Sequence, residues 1–190
     1  NASVVTVVHS ETSTATVSDV RAIAQLTQDS QAVLIVDGIT SVGALPVSQD
    51  AWGIDALVTG SQKALMLPPG LGYVGLGERA QARLEEVMPG PYYNLDLRRW
   101  LKSWHDNDVP FTPPVSLIRA QKVACDLILH TGLDNVQDRT RRLAVGSRAA
   151  FRALGLKPIS SSPSDSVSGA FYPDGINDAA FRATLRDKYG

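Results

Sequence analysis

The sequence predicts an α/β protein in which helices cover both faces of a mainly parallel β-sheet. Residues 33–36 are apolar without interruption, and residues 55–59 form a second, nearly as apolar run. Such runs are typical of strands that are buried on both faces of a parallel sheet. The order strand, helix, strand over residues 4–36 is that of a crossover unit, which is right-handed in nearly all proteins.

The other elements follow from periodicity and from turn residues. The β-branched residues 4–8 predict a short buried strand, and Ser18 can cap the helix that follows it. The segment 92–114 is aromatic and charged, and we expect it to be irregular. The predicted helices span residues 19–28, 78–88, 115–129, 133–154 and 177–189, and two further strands span residues 72–76 and 167–172.

Composition excludes several classes of function. The formal net charge of -1 gives no electrostatic reason to expect a nucleic acid or an anionic membrane as a partner. No histidine pairs with a cysteine at zinc spacing, so no metal site is predicted. The one cysteine, Cys125, suits the cytoplasm or another reducing compartment, and its apolar helical context predicts a buried side chain.

Two polar residues stand where the predicted strands end. Asp37 closes the run at residues 33–36, and Lys63 follows the strand at residues 55–59. In open α/β sheets, ligands bind at the carboxyl ends of the strands. A carboxylate and an amine are also the two groups that pyridoxal phosphate chemistry needs most, for the pyridine nitrogen and for the aldehyde. We expect both side chains to be buried at this edge.

Other roles remain open for each residue by itself. A lone lysine in a turn is more often exposed on the surface. Asp37 is a weak candidate for a metal ligand, because no second carboxylate or histidine lies beside it in the sequence. The hydroxyl residues at 12–14 are as well suited to a turn as to binding a phosphate or phenolate oxygen.

In their order along the chain, these segments resemble the class V aminotransferases. The resemblance rests on HSETST at residues 9–14, VDGITSVG at residues 36–43, GSQKAL at residues 60–65 and PPG at residues 68–70. It is greatest to the alanine–glyoxylate and serine–glyoxylate (serine–pyruvate) aminotransferases. Further similarities extend to residue 133, so the resemblance covers nearly the whole chain.

The resemblance implies a binding site for pyridoxal 5′-phosphate. Lys63 is implied as the Schiff-base lysine, and Asp37 as the partner of the pyridine nitrogen. Of the remaining contacts, Thr112 is implied as a phosphate contact that the other subunit of a homodimer supplies. The other implied cofactor-binding residues are Thr12 near the ring oxygen, Ile39 beneath the ring, Gln62 at the phosphate, and Ser61.

Three positions depart from the family pattern or decide between its branches. Val109 stands where this branch often has a tyrosine, and Ala15 stands where the motif usually has glycine. Gln62 precedes the lysine, whereas cysteine desulfurases of the same fold have a histidine there. Gln62 therefore argues against desulfurase chemistry.

The implied fold is that of the fold-type I pyridoxal phosphate enzymes. Residues 1–131 are expected to form part of the three-layer α/β/α large domain, and residues 132–190 to begin the small carboxyl-terminal domain. The chain is expected to be an internal fragment, because the family's glycine/serine phosphate loop precedes the position of Asn1. The family's carboxylate-binding arginine follows the position of Gly190.

The implied reaction moves an amino group from serine or alanine to glyoxylate or pyruvate. Two alternatives stay within enzymes of this fold, namely a different amino donor such as ureidoglycine, or lyase chemistry on the same cofactor. A third alternative is a non-catalytic scaffold subunit. Retention of both Lys63 and Asp37 argues against the scaffold, since a scaffold needs neither group.

Overall fold

The computed structural model describes residues 2–190 and has the predicted α/β architecture. Strands β1–β6 span Val4–Val8, Ser10–Glu11, Thr16–Val17, Val33–Asp37, Ala56–Gly60 and Gly72–Leu76. Helices α1–α7 span Val20–Gln28, Gln49–Trp52, Glu78–Glu86, Leu97–His105, Val115–Thr131, Leu133–Ala153 and Asp178–Tyr189. Within residues 2–190, no helix is long and apolar enough to cross a membrane.

The main sheet has the strand order β1-β4-β5-β6. Its first three strands are parallel, as predicted, whereas β6 runs antiparallel to β5. The connection from β5 to β6 is shorter than the dozen or so residues that a parallel crossover needs, so the chain returns in the opposite direction. Asp37 pairs in register with Val8 of β1 and Val58 of β5, which aligns the carboxyl ends of three strands.

The core lies between the sheet and α1. Leu34 and Val36 of β4 are fully buried, and they pack with Val20 and Ala24 of α1. The helix begins one residue later than predicted, because the carboxylate of Asp19, and not the hydroxyl of Ser18, caps it by accepting the N–H of Ala22 at 3.0 Å.

Strand β1 is less buried than predicted. Val5 and Val7 pack against the core, but Val4 and Val8 are 50% and 37% exposed. The reason is that β1 is the edge of the sheet, and its second face is not covered by residues 2–190. A run of β-branched residues predicts a strand, but it does not indicate which faces of that strand are covered.

Two further predictions about local structure are wrong. Residues 97–105 form α4, which begins where the carboxylate of Asp96 accepts the N–H of Arg98 at 3.1 Å. The predicted strand at residues 167–172 is reduced to an isolated bridge between Ala170 and Pro158. The side-chain cap explains the helix at residues 97–105. The lack of a long partner strand explains why residues 167–172 form no strand.

Cys125 is exposed on α5 and not buried as predicted. The thiol sulfur accepts a hydrogen bond from Nε2 of Gln121 at 3.3 Å. Apolar residues occur on several faces of α5, and the structure buries Ala124 and Ile128. The sequence pattern could not identify which of these faces packs against the protein.

A buried carboxylate joins three elements at the amino edge of the sheet. Asp55 is 5% exposed, and its Oδ2 accepts the backbone N–H of Leu34 at 2.7 Å. Its Oδ1 lies 3.3 Å from Nε of Arg79, and the same guanidinium donates to the carbonyl of Ala32 at 2.7 Å. Asp55 therefore ties β4 to α3 through a charged group that is shielded from water.

A second buried polar residue, His9, follows β1. Its ring meets Trp52 edge to face, with the ring centroids 5.9 Å apart. His9 is 5% exposed, and its buried Nδ1 has no hydrogen-bond partner within residues 2–190. Burial lowers the pKa of His9 below its ordinary value of 6.5, because the charged imidazolium would lose its hydration.

Replacing Asp55 by alanine is expected to lower the free energy of unfolding by about 2 kcal/mol, because the buried N–H of Leu34 loses a charged acceptor. Arg83→Met is the matched control, since it breaks the exposed ion pair of Arg83 with Glu86 and should cost less than about 1 kcal/mol. Urea unfolding at neutral pH measures both changes. Equal effects of the two variants would contradict this account of Asp55.

Acidification is expected to destabilise the fold through His9. The unfolded chain takes up a proton near pH 6.5, whereas folded His9 does so at lower pH, so the free energy of unfolding falls as pH falls below about 6.5. His9→Phe keeps an aromatic ring beside Trp52 and should flatten this slope between pH 7 and 5. His130→Phe, at an exposed position, is the control and should leave the slope unchanged. An unchanged slope in His9→Phe would contradict the assignment.

Candidate functional site

Three loops meet where the parallel strands end. The loop after β4 joins the end of β5, because the N–H of Gly38 donates to the carbonyl of Val58 at 2.7 Å. The loop after β1 joins the loop after β4 through the hydroxyls of Thr12 and Thr40, whose oxygens are 3.1 Å apart. The predicted site residues at positions 12, 37 and 39 thus lie on connected loops at one edge of the sheet.

Asp37 occupies the centre of this edge. It is half-buried, and its Oδ1 accepts the backbone N–H of Ile39 at 2.9 Å. That local hydrogen bond fixes the orientation of the carboxylate, while Oδ2 has no partner within residues 2–190. Asp37 also lines a hollow of about 350 Å³ whose other walls include the apolar side chains of Val8, Ile35 and Val58. The free oxygen is thus available to a cationic or N–H-bearing ligand.

Gly38 is what lets the loop after Asp37 lie against β5. A Cβ at this position would come within 2.8 Å of Cγ2 of Val42 and 2.9 Å of Cδ1 of Leu57. Carbon atoms do not approach that closely, so a larger residue would force the side chains of Val42 and Leu57, or the loop itself, to shift. The glycine therefore keeps Asp37, Ile39 and the residues after them close to the end of β5.

Lys63 lies on the loop that follows β5, as predicted, but its side chain is exposed and not buried. The physical reason is that no residue within 2–190 packs over the Lys63 side chain, although Ala64 and Leu65 beside it are partly buried. Its amine has no hydrogen-bonding or ionic partner within those residues, and its carbonyl accepts the N–H of Met66 at 3.0 Å. An amine held on a fixed turn and free of partners can react with an aldehyde.

Ser61 fixes the lysine loop from within. Its side chain is fully buried, its hydroxyl donates to the carbonyl of Pro68 at 2.7 Å, and it accepts the N–H of Leu71 at 3.3 Å. The hydroxyl thus closes the loop, and its predicted contact with a cofactor stays a prediction. Gln62, the predicted cofactor-binding residue between Ser61 and Lys63, has an exposed side chain.

Thr112 is not brought together with the other predicted residues. It is exposed and lines a separate, open hollow of about 720 Å³ whose walls are residues 109–113. Val109, the departure from the family pattern, lines the same hollow. Thr112 and Asp37 therefore line different hollows within residues 2–190.

Ala15 adopts the backbone conformation of the glycine that the family pattern usually has at this position. Its φ angle is 50°, in the left-handed region that glycine adopts without strain and that costs other residues about 1–2 kcal/mol. It is 3% exposed, and its carbonyl accepts the N–H of Ser164 at 2.8 Å. The fold therefore keeps the glycine conformation at this position although the residue is alanine.

One group of residues at this edge could not be identified from the sequence. The serine-rich segment, residues 160–166, packs on the loop that carries Thr12, through hydroxyls of Ser10 and Ser164 that are 2.7 Å apart. These two serines are separated by 154 positions, so no local sequence pattern could pair them. Within residues 2–190, no group of three or more His, Cys, Asp or Glu side chains is arranged to hold a metal ion.

The chain is similar in sequence to curated proteins that are named as aminotransferases. The chain is 41% identical over 180 residues to the L-aspartate–glyoxylate aminotransferase of Paracoccus denitrificans, covering 92% of this chain and 45% of that protein. It is 38% identical over 195 residues to the serine–glyoxylate aminotransferase of Hyphomicrobium methylovorum, covering 96% of this chain and 47% of that protein. The chain thus spans about half the length of these curated relatives.

The fold is shared with a solved structure of the same kind. The alanine–glyoxylate aminotransferase of Nostoc sp. superposes with a TM-score of 0.90 at 27% identity, covering 98% of this chain and 51% of that protein. The aminotransferase class-V family matches residues 1–169 of the chain. With most of its length matched, this chain belongs to the class V aminotransferase family.

Proposed function

We propose that the protein containing this chain is a pyridoxal phosphate-dependent aminotransferase that moves an amino group from a small amino acid to a 2-oxo acid. The observation that carries the proposal is the placement of Asp37 at the end of β4 and of Lys63 on the loop after the neighbouring strand β5. Within residues 2–190, one carboxylate oxygen of Asp37 and the amine of Lys63 are free of partners. Membership of the class V aminotransferases supports the same reaction.

The residues at this edge fit pyridoxal phosphate by their chemistry. The aldehyde needs an amine, which Lys63 supplies, and the pyridine nitrogen needs an acceptor, which Oδ2 of Asp37 supplies. The paired hydroxyls of Thr12 and Thr40 offer donors to a phenolate oxygen. When bound, the cofactor supplies an electron sink for the carbon that carries the amino group.

Each residue then has a defined task. Lys63 would hold the cofactor through Nζ, and its amine would be the group able to accept and return a proton at the substrate carbon. Asp37 would favour a protonated pyridine nitrogen, since an opposite charge nearby raises the pKa of such a group by roughly 1–3 units. The hydrogen bond from the N–H of Ile39 to Oδ1 fixes the carboxylate and would leave Oδ2 for the pyridine nitrogen.

The remaining predicted contacts complete the proposed site. Ile39 would lie beneath the ring, and Ser61 and Gln62 would lie at the phosphate. Thr112 would contact the phosphate bound by a second copy, so the proposed active form is a homodimer. In this proposal residues 1–131 belong to the cofactor-binding domain and residues 132–190 begin a second domain.

The relatives differ in the amino donor that their names state. One relative is named for L-aspartate and another for serine, while both names contain glyoxylate. We therefore propose glyoxylate or pyruvate as acceptor, with serine and alanine as the first donors to test and aspartate as the third.

Lys63→Ala in the whole protein is expected to abolish the visible absorption band of covalently bound pyridoxal phosphate. It should also lower the rate of amino transfer by at least about 10²–10⁴-fold, because the general acid–base group is lost. Lys157→Ala, at an exposed lysine far along the chain, is the control and should change neither. The assay pairs serine, alanine or aspartate with glyoxylate or pyruvate. A protein that takes up no pyridoxal phosphate would contradict the proposal.

Asp37→Asn is expected to keep the cofactor bound but to slow amino transfer by about 10- to 1000-fold, because the ring nitrogen loses its proton more easily. The loss should deepen as pH rises and be partly reversed as pH falls. Asp50→Asn, at an exposed carboxylate on α2, should leave the pH profile unchanged. An Asp37→Asn profile that matches the unsubstituted protein would remove Asp37 from the site.

A further inference from the structure

Three serine hydroxyls form a closed ring beside the proposed cofactor site. The oxygens of Ser10 and Ser164 are 2.7 Å apart, those of Ser10 and Ser166 are 2.8 Å apart, and those of Ser164 and Ser166 are 2.9 Å apart. Three hydroxyl protons are enough for these three contacts, with each serine donating once and accepting once. Ser10 and Ser164 are 2% and 0% exposed, so water does not compete for them.

The same segment also binds the other end of the loop that carries Thr12. The N–H of Ser164 donates to the carbonyl of Ala15 at 2.8 Å, and the N–H of Val17 donates to the carbonyl of Ser162 at 2.9 Å. Since Ser10 precedes the loop and Ala15 follows it, the serine-rich segment holds both ends of residues 11–14.

The serine-rich segment is in turn tied to α6. The guanidinium of Arg148 donates to the carbonyl of Ser164 at 3.0 Å and to Oδ1 of Asp165 at 2.7 Å. The side chain of Arg148 is 12% exposed, so this ion pair is largely shielded from solvent. The hydroxyl ring therefore stands on a long helix and not on a free loop.

Thr12 lies between the two held ends. Its hydroxyl is 3.1 Å from that of Thr40, three residues after Asp37. The neighbouring Glu11 accepts the N–H of Ser13 at 2.7 Å, which stiffens the loop locally. Two contacts therefore set the position of the Thr12 hydroxyl. The serine ring holds the loop that carries Thr12, and the turn after β4 contacts the hydroxyl itself.

We propose that Ser164, together with Ser10 and Ser166, is a positioning residue for Thr12. The ring holds the Thr12 hydroxyl at the edge of the sheet where pyridoxal phosphate binds in the proposed function, on which this inference rests. Ser164 does not touch the cofactor in this account. It acts on cofactor affinity through the loop at residues 11–14.

The first test measures amide hydrogen exchange at the end of the loop that carries Thr12, in the absence of the cofactor. In the whole protein, Ser164→Ala should speed hydrogen exchange of the Ala15 and Val17 amides by about 10-fold, the effect of losing roughly one hydrogen bond. The Leu34 amide, held by Asp55 at the opposite edge, should not change. Ser147→Ala, on the exposed face of α6, is the matched control and should alter none of them. Unchanged exchange at residues 15 and 17, or equal acceleration at Leu34, would overturn the positioning role.

The second test measures coupling between the two residues. Thr12→Val and Ser164→Ala should each weaken pyridoxal phosphate binding by about 3- to 30-fold, and the double variant should bind no more weakly than Thr12→Val alone. Multiplying effects would show that Ser164 does not act through Thr12. If Ser164→Ala does not fold, Ser166→Ala removes a partly exposed member of the same ring and carries the same expectation.

The two tests separate the inference from the function on which it rests. Failure of the unsubstituted protein to bind pyridoxal phosphate overturns the proposed function and this inference with it. Binding of pyridoxal phosphate together with multiplying effects overturns the inference alone.

Discussion

The parallel register of β1, β4 and β5 is the constraint on which the site depends. Asp37 stands level with Val8 and Val58, so the loops after all three strands leave the sheet at one edge. A shift of β4 by one residue would turn Asp37 to the opposite face, because side chains alternate along a strand. Burial of Leu34 and Val36 against α1 prevents that shift, since it would also place these apolar side chains in solvent.

Charged and hydroxyl groups are used differently at the two edges of this sheet. At the amino edge, Asp55 is fully committed to Leu34 and Arg79, which suits a group that holds elements together. At the carboxyl edge, Asp37 keeps one oxygen and Lys63 keeps its amine without partners in residues 2–190. Groups that are positioned but not saturated are what a binding site for a polar ligand requires.

Much of this arrangement could be predicted from the sequence, because it depends on residues that are neighbours along the chain. An apolar run that ends in an acid or a lysine-bearing turn fixes both the strand and the position of the polar group after it. Burial could not be predicted in the same way, and Lys63 and Cys125 are both exposed because burial depends on what packs over a residue. The contact of Ser10 with Ser164 joins residues far apart in the chain, where local patterns carry no information.

The central claim is that Asp37 and Lys63 act on one molecule of pyridoxal phosphate. A crystal structure of the whole protein grown with pyridoxal phosphate tests it most directly. The account predicts a covalent bond from Nζ of Lys63 to the cofactor and a hydrogen bond of about 2.7–2.9 Å between Asp37 and the pyridine nitrogen. A cofactor bound to another lysine, or a pyridine nitrogen that faces no carboxylate, would contradict the account.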